Sequence, residues 1–77
     1  MTMTIEEKTP LQSRMDELDM TPEEVSAAIR KLTKGEVTIT AESVRNWTAG
    51  RNKPAAGMAH LVAQALDAQV STLFPAD

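Results

Sequence analysis

Apolar residues along the chain recur mainly at intervals of three and four residues, which is the period of an amphipathic helix. The first such face is formed by Leu11, Met15 and Leu18. Thr9 can cap the start of this helix, and Pro10 suits its first position because the missing N–H would have no partner there. The pattern predicts a helix at about residues 10–18, preceded by a flexible N-terminal arm at residues 1–8 that has no periodic pattern.

The clearest helix start is the segment TPEE that begins at Thr21. Thr21 and Glu24 can form a capping box, in which the side chain of each residue bonds to the backbone N–H of the other. An apolar face follows at helical spacing, formed by Val25, Ala28, Ile29 and Leu32. We therefore predict a second helix at about residues 22–33 that stops near Gly35, followed by a connector at residues 34–38.

A third predicted helix begins after Thr40, which can serve as its N-cap. Ile39 before the cap and Val44 within the helix have the spacing of a hydrophobic staple, which sets the angle at which the chain enters the helix. Gly50 is predicted to end it. Because Ile39, Val44 and Trp47 can face inward, the outward positions are Ala41, Glu42, Arg45 and Asn46.

The remaining apolar residues predict two more helices after Pro54. The inward face of the fourth helix is expected to consist of Met58, Leu61, Val62, Ala65 and Leu66. This helix should end at about Asp67, and a last short turn before Pro75 is indicated by Val70, Leu73 and Phe74. Five short helices with brief connections make an all-α fold, and we assign residues 9–77 to a single domain.

Composition limits the chemistry that the chain can carry. It has 77 residues, of which 42% are hydrophobic, so it can build one small core. There is no cysteine and a single histidine, His60, which excludes a disulfide framework and leaves too few ligands for a thiolate or histidine metal site. The chain has no catalytic constellation and no glycine-rich phosphate loop. We therefore expect no enzymatic activity, no cofactor, no metal and no small-molecule ligand.

The N-terminal segment lacks the basic and apolar regions of a secretory signal. No segment approaches the roughly 20 apolar residues that a membrane helix needs. These features predict a soluble, cytoplasmic protein that does not enter a membrane.

Charge is distributed unevenly along the chain. The net charge is −3, which by itself disfavours binding to nucleic acid. Residues 30–60, however, carry six basic and two acidic residues, a local charge of +4, whereas residues 1–29 carry two basic and seven acidic residues. Contact with phosphate depends on positive charge within about one Debye length, ~8 Å at physiological salt, more than on the total charge. The middle third is therefore the candidate DNA-binding face, and an ordinary solvated surface is the alternative.

Three segments stand in an order and at a spacing that is characteristic of one family. They are MTPEEVSAAI at residues 20–29, ITAESVRNWTAGRNKP at 39–54, and LVAQAL at 61–66 with Leu73 and Phe74 after it. In these segments the chain resembles the λ-repressor-like helix-turn-helix domains of the Cro/CI (XRE) family. The resemblance implies five helices, of which the third enters the major groove of DNA and the second crosses the backbone. It also implies a sequence-specific transcriptional regulator, a phage or bacterial repressor of the Cro type that binds a palindromic operator as a homodimer and is associated with the nucleoid when bound.

The resemblance assigns roles to individual positions. The base-reading positions would be Ala41, Glu42, Arg45 and Asn46, and short polar contacts with base or phosphate would come from Thr40 and Ser43. Arg51 and Lys53 resemble the phosphate-binding loop after the recognition helix, and Trp47 matches an aromatic core position. Side-chain chemistry agrees, because arginine pairs with guanine and asparagine with adenine. The role of Glu42 stays open: it can accept a bond from cytosine, repel phosphate, or favour the helix N-terminus.

The chain departs from the family in three places. The family joins helices 2 and 3 by a turn of about four residues, whereas here the turn is lengthened through residues 31–38. This lengthening makes Arg30, Lys31 and Lys34 further candidates for phosphate contact. Pro22 stands where the family often has glutamine, and it cannot donate a backbone N–H to phosphate. Asp67 stands where glycine usually ends helix 4, at a modest cost in stability.

Other functions are also compatible with the sequence. The acidic first helix fits a protein-binding module, such as an antitoxin-like or anti-repressor partner, in which that helix forms the interface. A DNA architectural protein is the weaker option, because such proteins are usually much more basic. The candidate dimer surfaces are the C-terminal residues Val70, Leu73 and Phe74, and the apolar residues of the arm, Met1, Met3 and Ile5.

Overall fold

The computed structural model describes residues 8–75 and contains five α-helices within them. In chain order these are α1 (Pro10–Leu18), α2 (Pro22–Leu32), α3 (Ala41–Thr48), α4 (Ala56–Ala65) and α5 (Val70–Leu73). No strand is present in residues 8–75. The predicted all-α fold class and the number of helices are therefore confirmed.

The first two helices begin at the predicted caps. Thr9 accepts a hydrogen bond from the backbone N–H of Gln12 at 3.1 Å. Thr21 and Glu24 form the predicted capping box, with the Thr21 hydroxyl accepting from Glu24 N at 3.2 Å and the Glu24 carboxylate accepting from Thr21 N at 2.8 Å. A cap satisfies backbone donors that the first helical turn leaves without partners. This is why both helices begin at the proline that follows their threonine.

One aliphatic core holds the helices together. α2 packs against α3 and α4, α1 packs against α3 and α5, and α4 packs against α5. The buried members of the core are Leu11, Met15, Val25, Ile29, Val44, Val62, Ala63, Leu66 and Leu73. Trp47 is half-buried and packs against this cluster. No polar or charged side chain in the described part of the chain is buried, so burial of apolar surface is the main stabilising contribution.

Two side chains of α1 make polar contacts with the rest of the fold. The Thr9 hydroxyl donates to the carbonyl oxygen of Thr48 at 2.8 Å, which joins the start of α1 to the end of α3. Arg14 donates through Nε to Leu66 O at 2.9 Å and through Nη2 to Asp67 O at 3.0 Å. A cation at these carbonyls satisfies acceptors that the end of α4 leaves open and complements the helix dipole.

Two leucines predicted to face the core are instead exposed. Leu18 is 38% exposed and Leu32 is 45% exposed. Each lies in the last turn of its helix, at the end of its apolar stripe. Leu32 borders a groove whose other side is formed by Ala63 and Ala68. The short side chains of Ala63 and Ala68 leave Leu32 partly uncovered. Helical spacing therefore predicted the correct face of α2, but it did not predict where along the helix the core ends.

The inward face of α4 also differs from the prediction. Val62 and Leu66 are buried as predicted, but the other buried residues are Ala59 and Ala63. The other predicted residues, Met58, Leu61 and Ala65, are only half-buried. Positions 59, 62, 63 and 66 still follow helical spacing. The inward face of α4 is therefore turned by one residue from the predicted one, so that Ala59 and Ala63 face the core in place of Met58 and Leu61.

The C-terminal segment belongs largely to the core. Leu73 is 2% exposed, and Val70 and Phe74 are half-buried against the core cluster. The prediction that Leu73 contributes to a dimer surface is therefore wrong, because its side chain is already covered within one protomer. The alternative residues Met1, Met3 and Ile5 lie outside the described residues, as does all of the predicted arm except Lys8, which forms an ion pair with Asp16.

The longest helix in the described residues has 11 residues. None of the helices there has the length and apolar character needed to cross a membrane.

Candidate nucleic-acid interface

The lengthened connector between α2 and α3 is folded back on itself. The Thr33 hydroxyl donates to Ile29 O at 2.9 Å and accepts from Val37 N at 3.0 Å. Lys34 and Gly35 both have positive φ, 56° and 85°, which reverses the chain direction. Val37 is half-buried against the core. The connector therefore positions the start of α3 through defined contacts rather than as a loose loop.

Local contacts at its first turn organise α3. The Thr40 hydroxyl accepts from Ser43 N at 3.1 Å and lies 3.2 Å from the Ser43 hydroxyl. Thr40 is thus the N-cap, as predicted. Both residues were also predicted to contact base or phosphate. In this structure their polar groups hold the helix start, and Thr40 is exposed whereas Ser43 is half-buried.

The four predicted base-reading positions of α3 are not equivalent. Each residue of an α-helix is rotated by about 100° from the one before it, and buried Val44 defines the inward direction. Glu42 then lies almost opposite Val44. Glu42 and Arg45 are exposed, whereas Ala41 and Asn46 are half-buried. The most exposed of the four positions are therefore an acid and a cation.

Arg45 forms an ion pair with a residue of α2. Its Nη2 atom lies 2.5 Å from Oε2 of Glu23, and the two side chains are 53% and 61% exposed. Sequence reasoning did not identify Glu23 as a functional residue. The two positions are 22 residues apart, and no sequence pattern indicated that the first turn of α2 lies beside α3. An acid in that turn is also explained by the helix dipole alone.

Arg51, which was predicted to bind phosphate, forms a hydrogen bond with Asn46. Arg51 donates from Nη1 to the carboxamide Oδ1 of Asn46 at 2.8 Å. Gly50 has a φ of 78°, and Arg51 N donates to Asn46 O at 3.0 Å, so the chain turns back along the end of α3. Arg51 is exposed and carries five N–H donors. The guanidinium therefore contacts Asn46 and keeps donors that face solvent.

The other predicted phosphate ligands are exposed cations. They are Arg30, Lys31, Lys34 and Lys53. None of them forms an ion pair within residues 8–75. Arg30 is about two turns beyond Glu23 and hence on the same face of α2. The face that carries the Glu23–Arg45 pair therefore continues into a cation at the far end of that helix.

No cluster of three or more histidine, cysteine or acidic side chains occurs in the part of the chain that the structure describes. His60 is exposed on α4. The hydrogen bond from Lys8, and then that from Gln12, lower the pKa of the Asp16 carboxyl below its ordinary value of 3.8. The exposed surface of α3 and its neighbouring cations is therefore the best candidate site.

Comparisons with known proteins found no matching family model, no matching curated protein and no matching solved structure. The likeness to the Cro/CI family therefore remains the resemblance carried by the three sequence segments.

Proposed function

We propose that this protein is a sequence-specific DNA-binding regulator that inserts α3 into the major groove. The observation that carries the proposal is the surface of α3, where Glu42, Arg45 and Asn46 stand outside the core. Exposed cations flank this surface before and after the helix. A helix that presents polar side chains between flanking cations suits DNA, because phosphate contacts position the protein and base contacts supply sequence preference.

Each outward side chain of α3 has a defined capacity for base recognition. An arginine can donate two hydrogen bonds to O6 and N7 of guanine, and a carboxylate can accept from N4 of cytosine. Arg30, Lys31, Lys34 and Lys53 would contact the phosphates on either side. Pro22 leaves the first turn of α2 without one backbone donor, and that turn carries Glu23 and Glu24, so these four cations would supply the phosphate contacts in its place.

A repressor of the Cro type is the form of regulator that we propose. It would bind a palindromic operator as a homodimer, with half-sites about 34 Å apart, one turn of DNA. Bound in this way, it would act by covering a site that the polymerase needs.

Selection of bound sequences from a random duplex pool tests the proposal. The wild type should enrich a palindrome, and Arg45→Ala and Asn46→Ala should each lose about 1–3 kcal/mol of discrimination at one base position. Lys8→Ala is the matched control, because it removes a cation that pairs with Asp16 on α1. If the α3 variants select the same sequences with the same affinity as the wild type, α3 is not the recognition helix.

A protein-binding module is the second candidate, and one observation favours it. Leu18 is an exposed apolar residue between the exposed acids Glu17 and Asp19 on the surface of α1. An apolar residue with an acidic rim fits a partner that has a basic rim around an apolar pocket. Gel-shift titrations at low and moderate salt separate the two functions. A protein of this second kind would give no salt-sensitive shift with any duplex.

A further inference from the structure

We infer that Glu23 is an autoinhibitory residue that competes with DNA for Arg45 and so weakens binding to every duplex that Arg45 contacts. This inference rests on the proposed function, because it concerns the behaviour of α3 at a DNA surface. Glu23 would not contact a base itself. It would act by holding the Arg45 guanidinium until a better set of acceptors replaces the carboxylate.

The geometry of the pair suits a reversible competitor. One guanidinium nitrogen, Nη2, contacts one carboxylate oxygen, Oε2, at 2.5 Å. Arginine has five N–H donors, so most of the Arg45 donors are still available to a ligand. Both side chains are more than half exposed, and exposed pairs are held weakly because water and salt screen them. DNA can therefore displace Glu23 without disturbing the core.

The neighbouring acids do not take the same role. Glu24 is engaged in the capping box with Thr21. Glu42 lies three residues before Arg45 on α3, within reach of an ion pair on the helix surface, yet the structure pairs Arg45 with Glu23. The contact thus joins two helices at the place where DNA would approach.

Competition of this kind lowers the affinity for every duplex that Arg45 contacts. To reach either a phosphate or a guanine, Arg45 must give up the carboxylate, so the free energy of the ion pair is lost in both complexes. On a cognate guanine it gains two hydrogen bonds to O6 and N7, which outweigh the lost pair, so binding occurs but at reduced affinity. Glu23 therefore attenuates DNA binding as a whole and leaves the ratio of cognate to random affinity nearly unchanged.

The test measures binding to a random-sequence duplex and to the selected site for the wild type and Glu23→Gln. We expect Glu23→Gln to bind the random duplex about threefold to fivefold more tightly, the range that an exposed ion pair allows. Its salt dependence should steepen by about one unit, since one more cation meets phosphate. Affinity for the selected site should rise by a similar factor, because Arg45 must release the carboxylate there as well.

Glu17→Gln is the matched control for Glu23→Gln. It removes the same charge from an exposed acid that is also ion-paired, here to Arg14 at 3.1 Å on α1. A double-mutant cycle adds Arg45→Ala, because a residue that acts through Arg45 has no further effect once Arg45 is absent. Circular dichroism on each variant verifies that the helices are retained.

Each outcome is decisive. If Glu23→Gln and Glu17→Gln change the affinities equally while the wild type binds DNA, the inference fails and the proposed function stands. If the gain from Glu23→Gln persists in the Arg45→Ala background, Glu23 repels phosphate directly and the route through Arg45 is wrong. If the wild type binds no duplex in a salt-sensitive manner, the proposed function fails and the inference fails with it.

Discussion

Asn46 is half-buried, and its carboxamide oxygen accepts a hydrogen bond from Arg51 at 2.8 Å. Reading adenine requires both the oxygen and the NH₂ group of asparagine, since adenine offers one donor and one acceptor in the major groove. While Arg51 donates to Oδ1, the groups that Asn46 and Arg51 together present to a ligand are mainly N–H donors. Guanine, which offers two acceptors, is the base that suits such a surface.

This pairing gives a prediction for the preferred base. In sequences selected by Arg51→Ala, we expect the preference at the base pair read by Asn46 to shift from guanine toward adenine, because Oδ1 is released to accept from adenine N6. Lys53→Ala, which removes a cation from the same loop and has no hydrogen bond to Asn46 within residues 8–75, should weaken binding without this shift. Identical base preference in Arg51→Ala and wild type would contradict the prediction.

Asp16 makes folding stability depend on pH. The hydrogen bond from Lys8, and then that from Gln12, lowers its carboxyl pKa below 3.8 in the folded state. A lowered pKa means that the ionised form stabilises the fold above the unfolded pKa and that this contribution is lost as pH falls through the folded pKa.

Asp16→Asn should therefore be less stable than wild type at neutral pH, and the difference should shrink once pH falls below 3.8. Urea unfolding at several pH values measures this, and Asp19→Asn, an exposed acid with no ion pair in the described residues, is the control. A difference that stays constant down to the lowest pH would show that the Asp16 carboxylate is not the cause.

For individual residues, the sequence predicted which side chains lie outside the core better than it predicted their hydrogen-bond partners. Glu42, Arg45 and Asn46 could be predicted to lie outside the core because Val44 and Trp47 fix the inward face of the helix. The hydrogen bonds from Arg45 to Glu23 and from Arg51 to Asn46 could not be predicted. The first depends on how two helices pack, and the second depends on the chain reversal at Gly50.

Among the helices, α3 depends most on its cap. It has only eight residues, and helices of this length are unstable in isolation because nucleation is costly. The Thr40 hydroxyl satisfies Ser43 N at 3.1 Å, and buried Val44 is the main anchor of the helix in the core.

Replacing Thr40 by alanine should therefore destabilise the protein by about 0.5–2 kcal/mol, the usual cost of a lost N-cap. Thr38→Ala is the control, since Thr38 is exposed in the connector and its side chain makes no hydrogen bond among the described residues. Urea denaturation compares the two variants. Equal midpoints would mean that the connector and Val44 hold α3 without its cap.

The sequence predicted the residues at which helices begin better than it predicted which helix faces are buried. Threonine caps followed by proline gave the starts of α1 and α2, and Thr40 gave that of α3. The start of α4 was less evident, because Ala55 is its N-cap and has no side chain that can accept a hydrogen bond. Its inward face depends on how closely neighbouring helices approach Ala59 and Ala63, which helical periodicity does not specify.

For the whole molecule, the sign of the total charge does not describe the charge around α3. The net charge is −3, yet the cations Arg30, Lys31, Lys34 and Lys53 are exposed and form no ion pair within residues 8–75. The acids of α1 are partly neutralised by Lys8 and Arg14. The available positive charge therefore belongs to the segments before and after α3.

Lys31→Ala and Lys34→Ala test whether the last turn of α2 and the connector that follows it take part in binding. Each should weaken binding to cognate and random duplexes by a similar factor and lower the salt slope by about 0.9, the value for one phosphate contact. Lys8→Ala, with the same loss of charge on α1, should leave the slope nearly unchanged. If all three variants behave alike, neither segment contacts phosphate.

The single tryptophan of the chain has a consequence for how the protein can be observed. Trp47 is half-buried in α3, directly after Asn46, and borders a small cleft beside Pro10 and Phe74. The chain contains no tyrosine, so its near-ultraviolet emission comes almost entirely from this one indole. We expect the fluorescence of the unlabelled protein to change when a molecule binds to α3, and also when that helix unfolds. Binding at the candidate surface can therefore be followed without an added label.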